Sequence, residues 1–228
     1  MSRLSIIVPC LNEAESLFLV LAPLQQLRRE GHEVLLVDGG STDGSPELAA
    51  DLVDRVFPAE RGRALQMNAG AARAKGDVLW FVHADTLVPV HAGGAVLKAV
   101  AAGAVWGRFD VRLDAPGSAF RVIEWCMNQR SRLSGIATGD QAMFVRRDWF
   151  ETVGGFPPIP LMEDIALSTA LKAGSRPRCL RQRVRTSARR WERGGVMATV
   201  FLMWRLRYRF WRGADPRELA RLYREGSL

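Results

Sequence analysis

The residues best suited to carry chemistry are acidic side chains that follow short apolar runs. Asp38 comes directly after the run at 33–37, and Asp85 comes shortly after the run at 77–82. Glycines beside Asp38 would let the backbone approach a ligand closely. Carboxylate oxygens suit Mg²⁺ and Mn²⁺, and these ions commonly share their coordination with diphosphate oxygens. The two carboxylates therefore predict a site for a divalent cation and a diphosphate ligand.

Each of these side chains also has a purely structural explanation. Aspartate is a common turn former, so Asp38 and Asp85 could shape loops, and Asp43 before Gly44 fits a turn or a helix cap. Cysteine chemistry is not indicated, because the three cysteines are far apart and form no C-x-x-C pair. A reducing cytoplasm is the simplest setting for such a chain.

Short apolar runs alternate with helical patterns in the first half of the chain. The patterns predict strands at 4–8, 33–37, 55–57 and 77–82, separated by helices at 13–30, 46–53 and 64–74. Such alternation predicts right-handed crossovers and a parallel sheet covered on both faces. Ligands bind past the carboxyl ends of the strands in such sheets. The polar segments 9–13, 38–44 and 83–85 should therefore meet at one edge of the sheet.

The second half of the chain is less regular. Its patterns predict a strand at 106–113, a helix at 119–133, a strand at 141–145 and a helix that begins near Asp148. Helical patterns return at Gly195, and Pro216 suits the first turn of a last short helix. The 228 residues fit one α/β domain with a small appendage. We place the domain at residues 1–194 and a basic segment of amphipathic helices at residues 195–228.

The order of five short motifs resembles that of family 2 glycosyltransferases, whose fold is of the GT-A type. The resemblance covers residues 3–191, and its motifs stand at 9–13, 37–44, 83–85, 139–141 and 163–164. It implies a Rossmann-like, mostly parallel central sheet with helices on both faces. It also implies a hexosyltransferase that moves a sugar from a nucleotide-diphosphate donor to an acceptor hydroxyl with inversion, using a divalent cation, Mn²⁺ or Mg²⁺.

The resemblance implies a role for each motif. Asp164 would be the general base on the acceptor hydroxyl, with Glu163 beside it, and Asp85 would coordinate the cation. The family's usual Asp-x-Asp is His83-Ala-Asp85 here, so His83 is either a metal ligand or an imidazole bonded to a neighbouring loop. The implied donor-binding residues are Pro9, Asn12, Glu13, Asp38, Gly39, Ser41, Arg61, Ala84, Asp140, Arg190 and Trp191.

Two of these assignments leave structural alternatives open. Glu163 and Asp164 could instead serve a structural salt bridge to a basic residue. Arg190 and Trp191 belong to a segment where related processive enzymes carry Gln-x-x-Arg-Trp, and Ser187 stands in place of the glutamine. An arginine fork suits phosphate oxygens, but a basic loop with Trp191 packed on the body explains the segment equally well.

The positive charge is concentrated near the end of the chain. The net charge is +8, but residues 172–228 contain 16 basic and 4 acidic residues, whereas residues 1–171 carry a net charge of −4. A basic end predicts an anionic partner, such as a phospholipid surface, a phosphorylated lipid or a nucleic acid. The alternative is a solvated basic face without a partner.

A basic amphipathic helix is predicted at 196–212. Apolar residues recur at 196, 200, 203, 206 and 210, and Arg207 interrupts that face. The uninterrupted apolar stretch is Val196–Trp204, well below the ~20 residues needed to span a bilayer. The helix could lie on an anionic membrane with Arg207 directed outward, which would bring the enzyme to a lipid-linked acceptor. It could instead pack on the catalytic body or on a second subunit in an oligomer.

Other functional classes find less support in the sequence. The start of the chain has no signal-peptide pattern, which favours a cytoplasmic protein, either free or in peripheral contact with the inner face of the membrane. No G-x-G-x-x-G, P-loop or nucleotidyltransferase phosphate loop is present. No zinc-finger, helix-turn-helix or RNA-binding signature is present, so we expect no nucleic-acid partner, and a basic nucleic-acid-binding protein is the weaker alternative. A non-catalytic sugar-nucleotide binder is the main alternative to an enzyme.

Overall fold

The computed structural model describes residues 2–226, except for the side chain of Arg193. Within these residues one sheet contains eight strands: β1 (Leu4–Cys10), β2 (Glu33–Asp38), β3 (Arg55–Pro58), β4 (Val78–Phe81), β5 (Thr86–Leu87), β6 (Trp106–Leu113), β7 (Phe144–Arg146) and β8 (Arg178–Thr186). Their order is β3-β2-β1-β4-β7-β6-β8-β5. Neighbours from β3 to β4 are parallel, as are β6 and β8, whereas β7 and β5 are antiparallel to their neighbours. The predicted mostly parallel sheet is confirmed.

Helices connect the strands and cover the sheet. They are α1 (Ala14–Leu21), α2 (Gln25–Arg29), α3 (Ser45–Ala49), α4 (Arg63–Arg73), α5 (Ala92–Ala101), α6 (Ser118–Ser134), α7 (Arg147–Thr152), α8 (Glu163–Gly174), α9 (Arg189–Gly194), α10 (Val196–Trp211) and α11 (Pro216–Glu225). The single helix predicted at 13–30 is α1 and α2, joined by a 3₁₀ turn that contains Pro23, because proline disrupts the regular helical hydrogen bonds. The strand predicted at 141–145 is shorter and later, because a 3₁₀ turn occupies Gly139–Gln141.

Apolar side chains form a core on each face of the sheet. Ile6 and Val8 of β1 pack in one core with α1 and α5, and Ile7 packs in the other with α4, α7 and α8. This division follows from the alternation of side chains along a strand. All seven residues of β1 are buried, as expected for a strand covered on both faces. The prediction of helices on both faces is confirmed.

The last two helices, α10 and α11, pack on the α/β body. The apolar face predicted at 196–212 is turned inward, since Met203, Leu206 and Phe210 pack with α11 and with Met162, which precedes α8. Val196 packs in a separate cluster beside α6. Packing on the body, one of the two alternatives predicted for this helix, is therefore what the structure shows. Among residues 2–226, none of the helices has both the length and the apolar character that a bilayer crossing requires.

Candidate functional site

Hydrogen bonds connect the loop that follows β1 to the loop that follows β2. Asn12 donates its backbone N–H to Ser41 Oγ at 2.9 Å, and Asn12 Oδ1 accepts the N–H of Thr42 at 2.8 Å. Asn12 has φ of +54°, a conformation that asparagine tolerates better than most residues. Glu13 donates its N–H to Ser45 Oγ at 3.1 Å. The two predicted donor-binding loops therefore hold each other in place.

Asp38 uses its carboxylate to shape its own loop. Its oxygens accept the N–H groups of Gly40 and Ser41 at 3.0 Å and the hydroxyl of Ser41 at 2.5 Å. Asp43 caps α1, because its Oδ2 accepts the N–H of Ala14 at 2.9 Å. The structural explanations considered for both aspartates are thus realised in the fold, and Asp38 still lies at the carboxyl edge of the sheet.

Three other predicted donor-binding residues occupy different environments. A Cβ on Gly39 would lie 3.0 Å from Oε1 of Gln66, whose Nε2 donates to the carbonyls of Cys10 and Val37 at 2.8 Å. Gln66 therefore fills the space beside Gly39. The Pro9 side chain is buried within β1, and Arg61 is exposed and makes no hydrogen bond or ion pair with the described residues.

Asp85 and Glu13 share one guanidinium. Arg189 Nη2 lies 2.8 Å from Glu13 Oε2 and 3.6 Å from Asp85 Oδ2. Burial raises the pKa of Asp85, and the charge of Glu13 adds to this effect. Ser16 holds the adjoining segment by donating its hydroxyl to the carbonyl of Ala84 at 2.9 Å. A cavity of about 300 Å³ opens beside Asp85 and Arg189.

The carboxylate pair fits a cation that is shared with a ligand. Arg189 shows that a positive charge is accommodated between Glu13 and Asp85. The described part of the chain contains no group of three or more His, Cys, Asp or Glu side chains arranged to hold a metal. Mg²⁺ commonly takes one or two carboxylates and completes its coordination with phosphate oxygens and water. The donor set therefore fits a diphosphate-bound cation rather than a cation held by protein alone.

Gly139 connects His83 with Asp164. Its N–H donates to Asp164 Oδ2 at 2.7 Å, and a Cβ at this position would lie only 2.5 Å from Cε1 of His83. Burial holds the pKa of His83 well below its ordinary value, and the charge of Arg63 adds to this effect. His83 Nε2 is buried and has no hydrogen-bond partner among residues 2–226. The imidazole is therefore neutral and packs against Gly139, and its role as a metal ligand stays a prediction.

Three carboxylates interact with the charge of Arg63 at the start of α4. Arg63 Nη1 lies 3.9 Å from Glu163 Oε1, and its charge also acts on Asp164 and Asp85. Burial and then the charge of Asp164 raise the pKa of Glu163 to about 7. Asp164 accepts the N–H of Ile165 at 2.7 Å in addition to that of Gly139. The structure thus brings the predicted metal residue and both predicted catalytic residues to one site.

The segment 189–191 divides between the site and the core. Arg190 stacks on Tyr223 of α11, with its guanidinium carbon 3.3 Å from the ring centroid, and donates to the Tyr223 carbonyl. Trp191 packs beside Leu113 and α6. Neither side chain faces the carboxylates, whereas Arg189 does. The motif at 189–191 could be recognised from the sequence. The sequence did not show that Arg189, and not Arg190, contacts the carboxylates.

Asp140 lies in a second charged region, beside Asp164. Burial raises the pKa of Asp140, and the charges of Arg130 and Arg207 lower it. The membrane alternative for α10 placed Arg207 outward, whereas in the structure Arg207 is half-buried and its charge acts on Asp164 and Asp140. This orientation accompanies the packing of α10 on the body. Arg63, Arg130 and Arg207 were not predicted, since isolated arginines carry no motif.

The motifs at the site have counterparts in known proteins. The sequence model of the family described as glycosyl transferase family 2 matches residues 5–154. The chain belongs to glycosyltransferase family 2. Glycosyltransferase AglE of Haloferax volcanii is 27% identical over 169 residues, covering 67% of this chain and 55% of AglE. The undecaprenyl-phosphate 4-deoxy-4-formamido-L-arabinose transferase of Pseudomonas fluorescens is 38% identical over 97 residues, covering 37% of this chain and 28% of that protein.

Solved structures show the same fold. The mannosyltransferase PcManGT of Pyrobaculum calidifontis, in complex with GDP-Man and Mn²⁺, has a TM-score of 0.63 at 22% identity over 86% of this chain and 62% of its own. The predicted GT-A fold is confirmed by this similarity. The family match extends through the loops at 9–13, 38–44 and 83–85 and ends before Glu163. The chain spans about half of AglE and less than a third of the arabinose transferase.

Proposed function

We propose that this chain transfers a hexosyl group from a nucleotide-diphosphate sugar to an acceptor hydroxyl, with inversion. The observation that carries the proposal is the convergence of Asp85, Glu163 and Asp164 on Arg63, at the carboxyl edge of the sheet. PcManGT, which shares the fold, was solved with a nucleotide sugar and Mn²⁺. Family membership supports the same reaction class.

Different residues would act on the leaving group and on the acceptor. Asp85 would hold Mn²⁺ or Mg²⁺, with Glu13 beside it, and the bound cation would neutralise charge on the departing diphosphate. Asp164, oriented by the Gly139 N–H, would accept the proton of the acceptor hydroxyl. Burial, and then the charge of Asp164, raise the pKa of Glu163 to about 7, so Glu163 carries less negative charge near neutral pH than an ordinary glutamate. A single direct displacement inverts the anomeric carbon.

The donor would lie along the loops at 9–13 and 38–44. Asn12, Asp38 and Ser41 form the bonded unit there, and we assign the nucleoside to it. Asp140 would face the transferred sugar, because its charge acts beside Asp164. Residues 1–194 would form the catalytic domain and residues 195–228 a basic helical segment on it.

The acceptor would be lipid-linked and the chain would contact an anionic membrane through 196–212 from the cytoplasmic side. Although the predicted apolar face is buried, α10 exposes a second apolar face formed by Met197, Phe201, Trp204, Tyr208 and Trp211. Aromatic side chains suit the interfacial region of a bilayer. Residues 196–211 include arginines and no acidic residue, so a second copy would bring like charges together, whereas anionic lipid would complement them. The name of the arabinose transferase described above specifies a lipid phosphate, undecaprenyl phosphate.

Replacement of Asp164 tests the proposed reaction. A thermal-shift screen of UDP- and GDP-sugars with and without Mn²⁺ first identifies the donor. With that donor, Asp164→Asn should reduce kcat by about 10²- to 10⁴-fold, because the base is lost, while Asp148→Asn at an exposed ion pair should retain activity. The anomeric configuration of the product is read by NMR. A retained configuration, or full activity of Asp164→Asn, would contradict the mechanism.

A further inference from the structure

Two arginines make no hydrogen bond or ion pair with the described residues, and their charges interact with that of the proposed base. Arg130 lies on α6 and Arg207 lies on α10, and both are half-buried. The Nε and Nη2 atoms of Arg130 are shielded from solvent and have no hydrogen-bond partner among residues 2–226. Arg207 makes no hydrogen bond or ion pair with the described part of the chain. Shielding Nε and Nη2 of Arg130 from water without a partner is costly, whereas the guanidinium of Arg207 keeps access to solvent.

The nearby carboxylates do not satisfy these donors. The charge of Arg130 interacts with those of Arg207, Asp140 and Asp164. Asp164 already accepts two backbone N–H groups, and Asp140 keeps its buried Oδ1 without a partner. Burial, and then the charge of Arg207, lowers the pKa of Arg130 to about 10, which leaves the guanidinium protonated at neutral pH. The region therefore contains charged donors whose hydrogen bonds are unmade.

The charges of these arginines act on different carboxylates from the two that Arg189 contacts. Arg189 lies against Asp85 and Glu13, where the cation and the diphosphate are expected. The charges of Arg130 and Arg207 act instead on Asp164 and Asp140, on the side where the acceptor would present its hydroxyl. Guanidinium groups bind phosphate oxygens through paired, charge-assisted hydrogen bonds.

We propose that Arg130 and Arg207 form an oxyanion subsite that binds a phosphate group of the acceptor. This inference rests on the proposed function, since it assigns a chemical class to the acceptor of that reaction. The phosphate would be a phosphomonoester, carried either by a lipid headgroup or by a soluble molecule. The subsite would place the acceptor hydroxyl near Asp164 by anchoring the charged group beside it.

Thermal unfolding of the full chain in inorganic phosphate tests the subsite. Phosphate should raise Tm relative to chloride at equal ionic strength, because it binds the folded state. Arg130→Gln and Arg207→Gln should weaken the apparent phosphate affinity by about tenfold or more, since charge-assisted hydrogen bonds are lost. Arg205→Gln, an exposed arginine on the same helix, is the matched control and should respond like the wild type.

Two further measurements separate the remaining outcomes. Without phosphate, Arg130→Gln should melt at or above the wild-type Tm, because an unpaired charge has been removed, whereas a purely structural arginine would lower Tm. Decaprenyl phosphate in detergent, which carries a phosphomonoester but no acceptor hydroxyl and therefore serves only as a binding probe, distinguishes the sources when compared with decaprenol. A larger shift than with inorganic phosphate identifies a lipid headgroup, and an equal shift identifies a soluble phosphomonoester.

The proposal is overturned if phosphate shifts the Tm of the wild type and of both arginine variants equally, or shifts none of them. Slow hydrolysis of the donor sugar by the wild type, measured without any acceptor, reports separately on the proposed transfer reaction. Wild-type hydrolysis without a phosphate effect would refute the subsite alone. An absence of hydrolysis with every UDP- and GDP-sugar would count against the transferase itself.

Discussion

Gly139→Ala is the most direct test of how the proposed base is positioned. The added Cβ would lie 2.5 Å from Cε1 and 2.6 Å from Nε2 of His83. Carbon atoms pack at about 3.5–4.0 Å, so one group must move by about 1 Å. Overpacking of this kind costs about 1–3 kcal/mol. For a chain of this size, that cost corresponds to a Tm lower by about 2–12 °C.

The same substitution should reduce activity through Asp164. Displacing Gly139 lengthens its hydrogen bond to Asp164 Oδ2, which is now 2.7 Å long. Loss of a hydrogen bond to a charged group costs about 1.5–3 kcal/mol. If that bond orients the base in the transition state, kcat/KM should fall by about 10- to 150-fold. Initial rates with the identified donor, and thermal unfolding of the same samples, measure both effects.

Two further variants identify the contact responsible. Gly94→Ala in α5 is the matched control, because a Cβ there meets no atom within 4 Å, and its Tm should be unchanged or slightly higher. His83→Ala removes the opposing ring, so the double variant Gly139→Ala/His83→Ala should be more stable than the sum of the single effects predicts. Strict additivity, or a wild-type Tm and rate for Gly139→Ala, would refute the packing argument.

Three other outcomes are expected. Arg189→Gln should raise the Mn²⁺ affinity of the nucleotide-free protein by about two- to fivefold in calorimetry, because a competing cation is removed, and Arg185→Gln should not. Glu163 has a folded-state pKa of about 7, above the ordinary 4.5. The folded state therefore binds this proton more tightly than the unfolded state, and the free energy of unfolding should fall as the pH rises from about 4.5 to 7. In Glu163→Gln this part of the pH dependence should be lost. Trp204→Ser should reduce sedimentation with anionic vesicles, whereas equally exposed Phe18→Ser should not; equal losses would count against membrane contact through α10.

The sequence predicted the first half of the fold well because its signals are local. Each strand from β1 to β4 contains a short apolar run with polar residues or glycine within a few positions of its end, and the helices between them are amphipathic. Prediction was weaker after Val82. The elements β5, α5, α8, β8 and α9 were not predicted. Most residues of β8 are exposed or half-buried, so this strand has no apolar pattern to detect.

The candidate site was predicted where residues belong to motifs and was missed where they act alone. Asp85, Glu163 and Asp164 were named from ordered motifs, and all three interact with Arg63. Arg63 itself, like Arg207, is one of many arginines in a basic chain, and only tertiary contacts distinguish it. The inward orientation of Arg207 could not be predicted, because α10 has apolar residues on two faces and sequence alone does not show which face is buried.

Gly195 is all that separates α9 from α10, and its φ of +74° suits glycine because it lacks a Cβ. Arg189 on the first helix contacts Glu13 and Asp85, whereas Arg207 on the second influences Asp164. One short continuous stretch of backbone therefore connects the arginine at the proposed metal residue with the arginine whose charge acts on the proposed base. A shift of the backbone at Gly195 would therefore change the contacts of Arg189 and the position of Arg207 together. The proposed metal region and the proposed base region could then not be altered independently.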